Sequence, residues 1–419
     1  MKDSGIAWVG EIPKEWTIMP LYCFYSERKN KNIFGAENNL LSLSYGKVIR
    51  KDINTSEGLL PSNYNGYNIV EAGDIIIRPT DLQNDKRSLR TGLSKERGII
   101  TSAYIALKPK NGINSRFYHY LLHTYDILKV FYNMGNGVRQ GLNYDEFAKL
   151  MVYSPSDTEQ QRIAEFLDRE CGKIDGLKAD IQAQIDTLEQ YKRSIITEAV
   201  THGLNSSAPM KDSKVWYGQI PSEWKELKGK YVFKQRNDRG NNVCLQLLSP
   251  TQKYGVIPQD KYEELTGMNA VKLNDSTNYA LLKTIHKGDY CISLRSFQGG
   301  FEYSEYEGVV SPAYQVFYPI ITIADGYYKY LFKEKGFIDV MNSYTMSLRD
   351  GKNNAFYDFG DTFIPVPPLD EQQEIADYLD NKCAEIEQII ADKKSQIETL
   401  DGYKKSLIYE YVTGKKEVV

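Results

Sequence analysis

The chain has 419 residues, enough for two or three domains that each bury a core. Its five cysteines form no CxxC pair and are odd in number, which argues against a disulfide framework and leads us to expect a reducing, cytoplasmic location. The sequence has no apolar leader and no run of about 18 apolar residues, so we expect neither export nor a membrane-spanning helix.

The net charge of −3 would by itself disfavour binding to nucleic acid, but the charge is unevenly distributed. Residues 20–150 carry a net charge of +6, whereas residues 157–200 carry −4. Residues 225–360 carry only +2. A basic block can hold phosphate groups while acidic segments contact protein partners, so the distribution is more informative than the total.

The first 154 residues predict a mixed α and β block. The segments EAGDIIIRPT (71–80) and IITSAYIALKP (99–109) predict strands, because short runs rich in β-branched residues follow turn residues. The segment FYHYLLHTYDILKVF (117–131) has the apolar spacing of a helix. We therefore expect strands and helices to alternate in this block.

Polar loop residues in this block are of the types that read DNA bases. Arginine suits guanine, and asparagine or glutamine suits adenine, in the major groove. An ordinary solvated loop is the alternative for each of them. The candidate DNA-binding residues of the first block are Arg78, Thr80, Gln83, Asn84, Lys86, Arg87, Arg90, Arg139, Gln140 and Asn143.

A long helix is predicted after the first block. From Ile174 to Ala199 apolar residues recur at spacings of three and four, as one face of an α-helix requires. Pro155, Ser156 and Asp157 precede it as a start signal. Its length would be roughly 60 Å at about 1.5 Å per residue.

The second block repeats this order of elements with different loops. HKGDYCISLR (286–295) and VVSPAYQVFYP (309–319) predict strands, and YYKYLFKEKGFIDVM (327–341) predicts a helix. Its candidate DNA-binding residues are Arg295, Ser296, Gln298, Tyr344, Arg349, Lys352 and Asn353.

The end of the chain shows that the whole chain is a duplication. EQQRIAEFLD (159–168) returns as EQQEIADYLD (371–380), with seven of ten positions identical at an offset of 212. MKDSGIAWVGEIPKEW (1–16) likewise returns as MKDSKVWYGQIPSEW (210–224). Because a block separates the two long helices, they can pack side by side in antiparallel directions.

The predicted fold class is therefore α+β. We expect two mixed α/β domains separated by a pair of long antiparallel coiled-coil helices, related as a pseudo-twofold internal repeat. The predicted boundaries are 1–154 and 204–366 for the two blocks, and 155–203 and 367–419 for the two helix regions.

Sequence motifs for catalysis are missing. The string SPAY (311–314) lacks the second proline of an amino-methyltransferase tetrapeptide, and no GxxxxGK[ST] phosphate loop occurs. His119 and His123 are one helical turn apart without a surrounding HExxH, so helix packing is a better interpretation than zinc binding. We predict no catalytic residue and no metal site.

Several features together resemble the specificity subunit of type I restriction-modification systems. They are the IPxxW segment, the GD[IY] turn, the PPLDEQQEIADYLD-type helix start and the YKxS[IL]I segment, all present twice. The resemblance covers essentially the full length of the chain, and the doubled EQQxIAxxLD helix start is its most specific part.

This resemblance implies two target-recognition domains that each read half of a bipartite site in double-stranded DNA. It also implies partners: two methylation subunits along the spacer helices, which supply S-adenosylmethionine, and in some systems restriction subunits, which use ATP and magnesium. No cofactor would bind to this chain itself. Helices of roughly 60 Å would then correspond to roughly 15 base pairs at about 3.4 Å each.

Two other functions are compatible with parts of the sequence. A single-chain DNA methyltransferase or nuclease with its own specificity domains would need the catalytic motifs that are missing. A coiled-coil scaffold without a DNA role would fit the acidic total charge.

Overall fold

The computed structural model describes most of the chain and divides it into two units. Unit 1 consists of Met1–Ile181 and Lys394–Val419, and unit 2 consists of Gln182–Lys393. Each unit therefore contains one block and a segment of each long helix. The described residues are 1–54, 63–80, 82, 89–132, 134, 141–215, 217–239, 246–268, 281–292, 301–346 and 355–418.

The block of unit 1 is made of short strands and two helices, and the first long helix follows it. The strands are β1 Lys2–Asp3, β2 Glu11–Ile12, β3 Thr17–Pro20, β4 Tyr25–Glu27, β5 Leu41–Ser44, β6 Lys47–Arg50, β7 Asn68–Val70, β8 Ile75–Ile77, β9 Thr91–Leu93, β10 Gly98–Ile100, β11 Ile105–Pro109 and β12 Met151–Ser154. The helices are 3₁₀ turns at Leu21–Cys23 and Ile33–Gly35, then α1 Ser115–Ile127, α2 Tyr144–Phe147 and α3 Asp157–His202.

Unit 2 contains the second half of α3 and the following elements. The strands are β13 Met210–Asp212, β14 Gln219–Pro221, β15 Lys225–Lys228, β16 Phe233–Arg236, β17 Leu248–Thr251, β18 Gly255–Pro258, β19 Lys283–Ile285, β20 Tyr290–Ile292, β21 Phe301–Tyr303, β22 Gly308–Val310, β23 Gln315–Pro319 and β24 Phe363–Val366. The helices are α4 Gly229–Val232, α5 Gln259–Thr266, α6 Asp325–Leu331, α7 Lys335–Met346, α8 Ala355–Asp361 and α9 Leu369–Val412. The last part of α9 belongs to unit 1.

The two blocks have the same sheet topology. A four-stranded antiparallel sheet has the order β4-β11-β8-β9 in unit 1 and β16-β23-β20-β21 in unit 2. A strand before the long helix pairs with a strand near the start of each block, as β12 with β3 and β24 with β15. Smaller two-stranded pairs also correspond, with β5-β6 matching β17-β18. The duplication therefore extends to the strand pairing.

Aromatic residues form most of the core between each sheet and its helix. In unit 1 Phe117 and Tyr118 of α1 are fully buried, and Trp16 stacks on Tyr153 with ring centroids 5.5 Å apart. Asn114 caps α1 by accepting hydrogen bonds from two backbone amides of its first turn. The predicted helix over 117–131 ends earlier than expected, because Lys129 adopts a left-handed φ of 58°.

The predicted helix over 327–341 is divided into α6 and α7. Glu334 lies between them, and its Oε2 accepts a hydrogen bond of 2.9 Å from the backbone amide of Phe337. Its Oε1 accepts a hydrogen bond of 3.0 Å from Thr197 of α3. The interruption thus gives α7 a side-chain acceptor at its first turn.

The long helices are antiparallel within each unit. In unit 1 Lys404 Nζ lies 2.6 Å from Asp175 Oδ1, and Lys178 pairs with Asp401. Residue numbers therefore rise along α3 while those of their partners fall along α9. In unit 2 Lys393 donates a hydrogen bond of 2.5 Å to Gln184. The mixed α/β blocks and the antiparallel helix segments confirm the predicted fold class. No helix in the described part of the chain is long and apolar enough to span a membrane.

His119 and His123 both lie on α1, with ring centroids 6.0 Å apart. Burial lowers the pKa of His119 to about 3 and that of His123 to about 4. Nearby positive charge acts in the same direction, from Lys95 on His119 and from Lys404 and Lys405 on His123. Both imidazoles are therefore neutral in the folded protein near pH 7.

We predict that the double variant His119→Gln and His123→Gln has a flatter stability profile in acid. In the parent chain the imidazoles take up protons on unfolding, so stability is lost as pH falls from about 6.5 towards 4, by at most about 1.4 kcal/mol per pH unit for each group. Urea-unfolding midpoints measured across this range test the prediction. His286→Gln, at an exposed imidazole, is the control. An unchanged acid slope in the double variant would contradict it.

Candidate nucleic-acid interface

The ends of the two candidate loops of unit 1 meet at one place. The loop after β8 is closed by a hydrogen bond of 2.8 Å from the Arg78 amide to the Arg90 carbonyl. The loop before α2 joins it there, because the Leu142 amide donates a hydrogen bond of 3.0 Å to the Pro79 carbonyl. Loops that are distant in sequence therefore start and end on the same edge of the block.

Unit 2 brings its two candidate loops together in a corresponding way. Ile292, the last residue before one loop, pairs with Gln315 of β23. The side-chain oxygen of Gln315 accepts a hydrogen bond of 2.8 Å from the amide of Phe356, which follows the other loop. One glutamine thus joins the bases of both loops.

A buried ion pair supports the strand from which the first loop of each unit leaves. In unit 1 Arg28 Nη2 donates a hydrogen bond of 2.9 Å to Asp74, which is fully buried in the GD turn before β8. In unit 2 Arg236 contacts Asp289 through both Nε (2.7 Å) and Nη2 (3.1 Å). The GD turn could be found from the sequence, but its arginine partners were missed, since they lie 46 and 53 residues away.

Most of the candidate DNA-binding residues lie outside the part of the chain that the structure describes. Five are described: Arg78, Thr80, Arg90, Asn143 and Tyr344. The remaining candidates, all outside the described residues, are Gln83, Asn84, Lys86, Arg87, Arg139, Gln140, Arg295, Ser296, Gln298, Arg349, Lys352 and Asn353.

Arg90 differs from its prediction as a DNA contact. It is fully buried, and its Nη1 donates a hydrogen bond of 2.7 Å to the carbonyl of Thr80 across the base of the loop. Its guanidinium carbon lies 5.8 Å from the ring centroid of Tyr132. These contacts hold the guanidinium within the base of the loop and indicate that Arg90 positions the loop.

Asp126 of α1 holds the other side of this loop base. Its buried carboxylate accepts hydrogen bonds from the backbone amides of Arg90 and Thr91, the latter at 3.1 Å, and from the hydroxyl of Tyr132 at 2.9 Å. Burial raises the pKa of Asp126, and these hydrogen bonds oppose that rise. Sequence reasoning missed this residue, although an acid inside a mostly apolar helix segment was a signal.

The other described candidates lie at the edges of the loops. Asn143 is exposed and forms a capping box with Glu146, whose amide donates a hydrogen bond of 2.9 Å to the Asn143 side chain. Tyr344 on α7 is 38% exposed, and its hydroxyl lies 3.5 Å from Thr362 Oγ1. Arg78 and Thr80 are half-buried beside Arg90. Only Asn143 and Tyr344 of the described candidates are substantially exposed.

Comparison with known proteins decides which family this frame represents. Residues 27–187 and 220–399 match the type I restriction modification DNA specificity domain. The chain belongs to this family. It is therefore a non-catalytic specificity subunit that acts in DNA sequence recognition, as the missing motifs and the resemblance predicted.

Individual relatives cover nearly the whole chain. An alignment of 429 positions gives 22% identity to the type I restriction enzyme MjaX specificity subunit of Methanocaldococcus jannaschii. It covers 98% of this chain and 96% of that protein. It is 27% identical over 138 residues to the MjaVIII specificity subunit of the same organism, covering 33% of this chain and 31% of that protein.

A solved structure shares the fold of this specificity subunit. It concerns complex assembly and conformational transition of the type I R-M system, and one of its chains superposes with a TM-score of 0.66 at 12% identity. The alignment covers 97% of this chain and 100% of that chain. The likeness therefore extends over nearly the whole fold.

We predict that Arg90→Met lowers the thermal unfolding midpoint of the specificity subunit and weakens its DNA binding. The substitution removes the hydrogen bond from the charged Arg90 side chain to the Thr80 carbonyl, and hydrogen bonds to charged groups contribute about 1.5–3 kcal/mol. Calorimetry and a DNA-binding titration of the same preparations measure both effects. Arg97→Met is the matched control, since Arg97 is half exposed and its ion pairs with Glu37 and Glu71 lie at the surface. Equal effects of both substitutions would contradict a positioning role for Arg90.

Proposed function

We propose that the chain reads an asymmetric bipartite site in double-stranded DNA, with one half-site for each block. Residues 1–154 and 204–366 would be the target-recognition domains, and residues 155–203 and 367–419 the helical spacer. The observation that supports this most is the shared sheet order of the two units, in which paired loops of different sequence leave from corresponding edges.

The loops are suited to readout because their ends are held while their sequences differ. The first loop spans 13 residues in unit 1 (78–90) and eight in unit 2 (293–300) between β-strands that pair with each other. Arginine, lysine, asparagine and glutamine within them supply contacts to base edges and phosphates. Different loops on the same frame imply different half-sites, so the whole site is asymmetric.

The long helices are proposed to set the unread gap between half-sites and to carry the partner subunits. The helix α3 has 46 residues and α9 has 44. Because the gap would depend on helix length, the spacing of the half-sites is a property of this chain and not of its partners. Methylation subunits would bring S-adenosylmethionine and the methyl-transfer chemistry, and restriction subunits, where present, would bring ATP and magnesium.

Exposed apolar side chains on the helices offer a surface for the methylation subunits. In unit 1 Leu177 is 53% exposed and Tyr403 is 58% exposed. In unit 2 Ile389 and Tyr191, at the positions offset by 212, are 44% and 52% exposed. Single exposed apolar residues are ordinary, but here the same two positions are exposed in both repeats. Two equivalent surfaces fit two copies of one partner.

Exchanging residues 1–154 for the corresponding block of another specificity subunit should alter one half-site and leave the other unchanged. The physical reason is that each unit has its own sheet, core and loop anchors. Single-molecule methylation mapping in cells, with the parent and hybrid chains, reports both half-sites and their spacing.

The same mapping can be applied to the double variant Arg139→Ala with Gln140→Ala. Its discrimination against wrong bases in the half-site of the first block should fall by roughly 1–3 kcal/mol if the contacts are bidentate. The intact second half-site is the internal control in each mapping. Hybrids that change both half-sites would refute independent reading.

Leu177→Glu with Tyr403→Glu should reduce the number of methylation subunits bound to the chain from two to one. New carboxylates on an apolar docking surface would have to be buried without partners. Native mass spectrometry of the co-expressed complex measures the stoichiometry. The control is Ala179→Glu, which places the same charge two residues further along α3 and hence on another side of the helix. If the double variant still binds two subunits, this surface is not the docking site.

A further inference from the structure

A cleft of about 560 Å³ lies within unit 2. It is bordered by the β17-β18 hairpin with the start of α5, by β21, by α6, and by the unit 2 segments of α3 and α9. Its size is in the range of small-molecule sites. Its lining contains lysine and tyrosine, including Lys253, Tyr254, Lys261, Tyr306 and Tyr330, together with the acidic residues Glu302, Glu305, Asp380 and Glu387.

Glu302 of β21 lines this cleft with an unused hydrogen-bonding atom. The residue is only 3% exposed, and its Oε1 accepts a hydrogen bond from Lys333 Nζ. Its other oxygen, Oε2, is buried and has no hydrogen-bond partner among the described residues. Burial raises the pKa of Glu302 to about 7, and Lys333 opposes that rise. A buried carboxylate with an open acceptor is costly, which suggests that a ligand satisfies it.

Unit 1 has a glycine at the position that corresponds to Glu302. Gly92 of β9 pairs with Ile76 as Glu302 pairs with Cys291. A Cβ atom at Gly92 would lie 2.5 Å from Leu43 Cδ1, so apolar side chains of the β5-β6 hairpin occupy this space. The fold therefore does not require the pair of Glu302 with Lys333. Since a buried ion pair gives little net stability, a binding role explains it better than a structural one.

We propose that this cleft binds a cytosine nucleotide through the exocyclic amine of its base. The amine would donate to Glu302 Oε2, in the way that acidic side chains accept from cytosine N4. Tyrosine rings at the cleft offer stacking surfaces for the base. At the rim, Lys261 Nζ donates a hydrogen bond of 3.1 Å to Tyr306, and Lys253 Nζ lies 4.8 Å from the ring centroid of Tyr254. Both ammonium groups belong to exposed residues and can reach phosphate.

None of the described residues that line this cleft is a candidate DNA-binding residue. An amino-bearing base with phosphate occurs both in free nucleotides and in unpaired DNA strands. Calorimetric titration of the full-length chain with CTP, UTP, inorganic triphosphate and single-stranded oligo-dC distinguishes these sources. We expect saturable binding of CTP or of oligo-dC, and the tighter of the two identifies the source.

The comparison of CTP with UTP tests the role of Glu302. UTP has a carbonyl where CTP has the amine, so it should bind roughly tenfold more weakly or worse. The double variant Glu302→Met with Lys333→Met removes both charges at similar volume and should abolish binding. Lys230→Met with Asp361→Leu removes a surface ion pair of unit 2 and should bind as the parent does.

Circular dichroism and thermal unfolding of both variants check that they fold. A folded double variant that still binds CTP or oligo-dC like the parent would overturn the proposal. So would the absence of saturable binding of either at millimolar concentration. UTP or inorganic triphosphate binding as tightly as CTP would show a general anion site and would also overturn it.

Discussion

The hydrogen bond from a buried indole to a helix carboxylate is the contact on which both units depend. Trp16 Nε1 donates to Glu159 at 3.0 Å in unit 1, and Trp224 Nε1 donates to Glu371 at 2.8 Å in unit 2. Each carboxylate lies in the first turn of a long helix, where a negative charge is favourable. The bond joins the start of each block to the start of the helix that follows it, so the block and the beginning of its helix form one body.

A second equivalent contact extends this attachment by two to three turns. Tyr120 donates a hydrogen bond of 2.8 Å to Asp168, and Tyr330 donates one of 2.6 Å to Asp380. These tyrosines come from α1 and α6, the helices that cover the two sheets. Each long helix is therefore tied to its block through the covering helix as well as through the tryptophan near the start of the block. The first and last residues of the EQQxIAxxLD repeat thus make equivalent hydrogen bonds in the two halves.

The helices and the duplication could be predicted because their signals are local in sequence. Apolar spacing and a gapless offset need no knowledge of distant contacts. The role of Arg90 could not be predicted in this way, since its guanidinium lies over the ring of Tyr132, which is distant in the sequence. The division between α6 and α7 was also missed, because Glu334 is used by Thr197 of another helix. The sequence-based predictions thus fail where a side chain contacts a residue that is distant in the sequence.

The loop ends are fixed by residues other than those in the middle of the loop, and this explains how the same arrangement of strands can carry different loops. In unit 1 the loop bases are joined by the backbone of Pro79 and Leu142, and in unit 2 by the side chain of Gln315. The groups that fix the ends of each loop belong to the frame or to the first loop residues. A loop between fixed ends costs little more free energy to close when it is lengthened, since the closure entropy grows only with the logarithm of its length. Loops of 13 and eight residues can therefore be held on equivalent strands, and the residues between the anchors are free to differ in what they recognise.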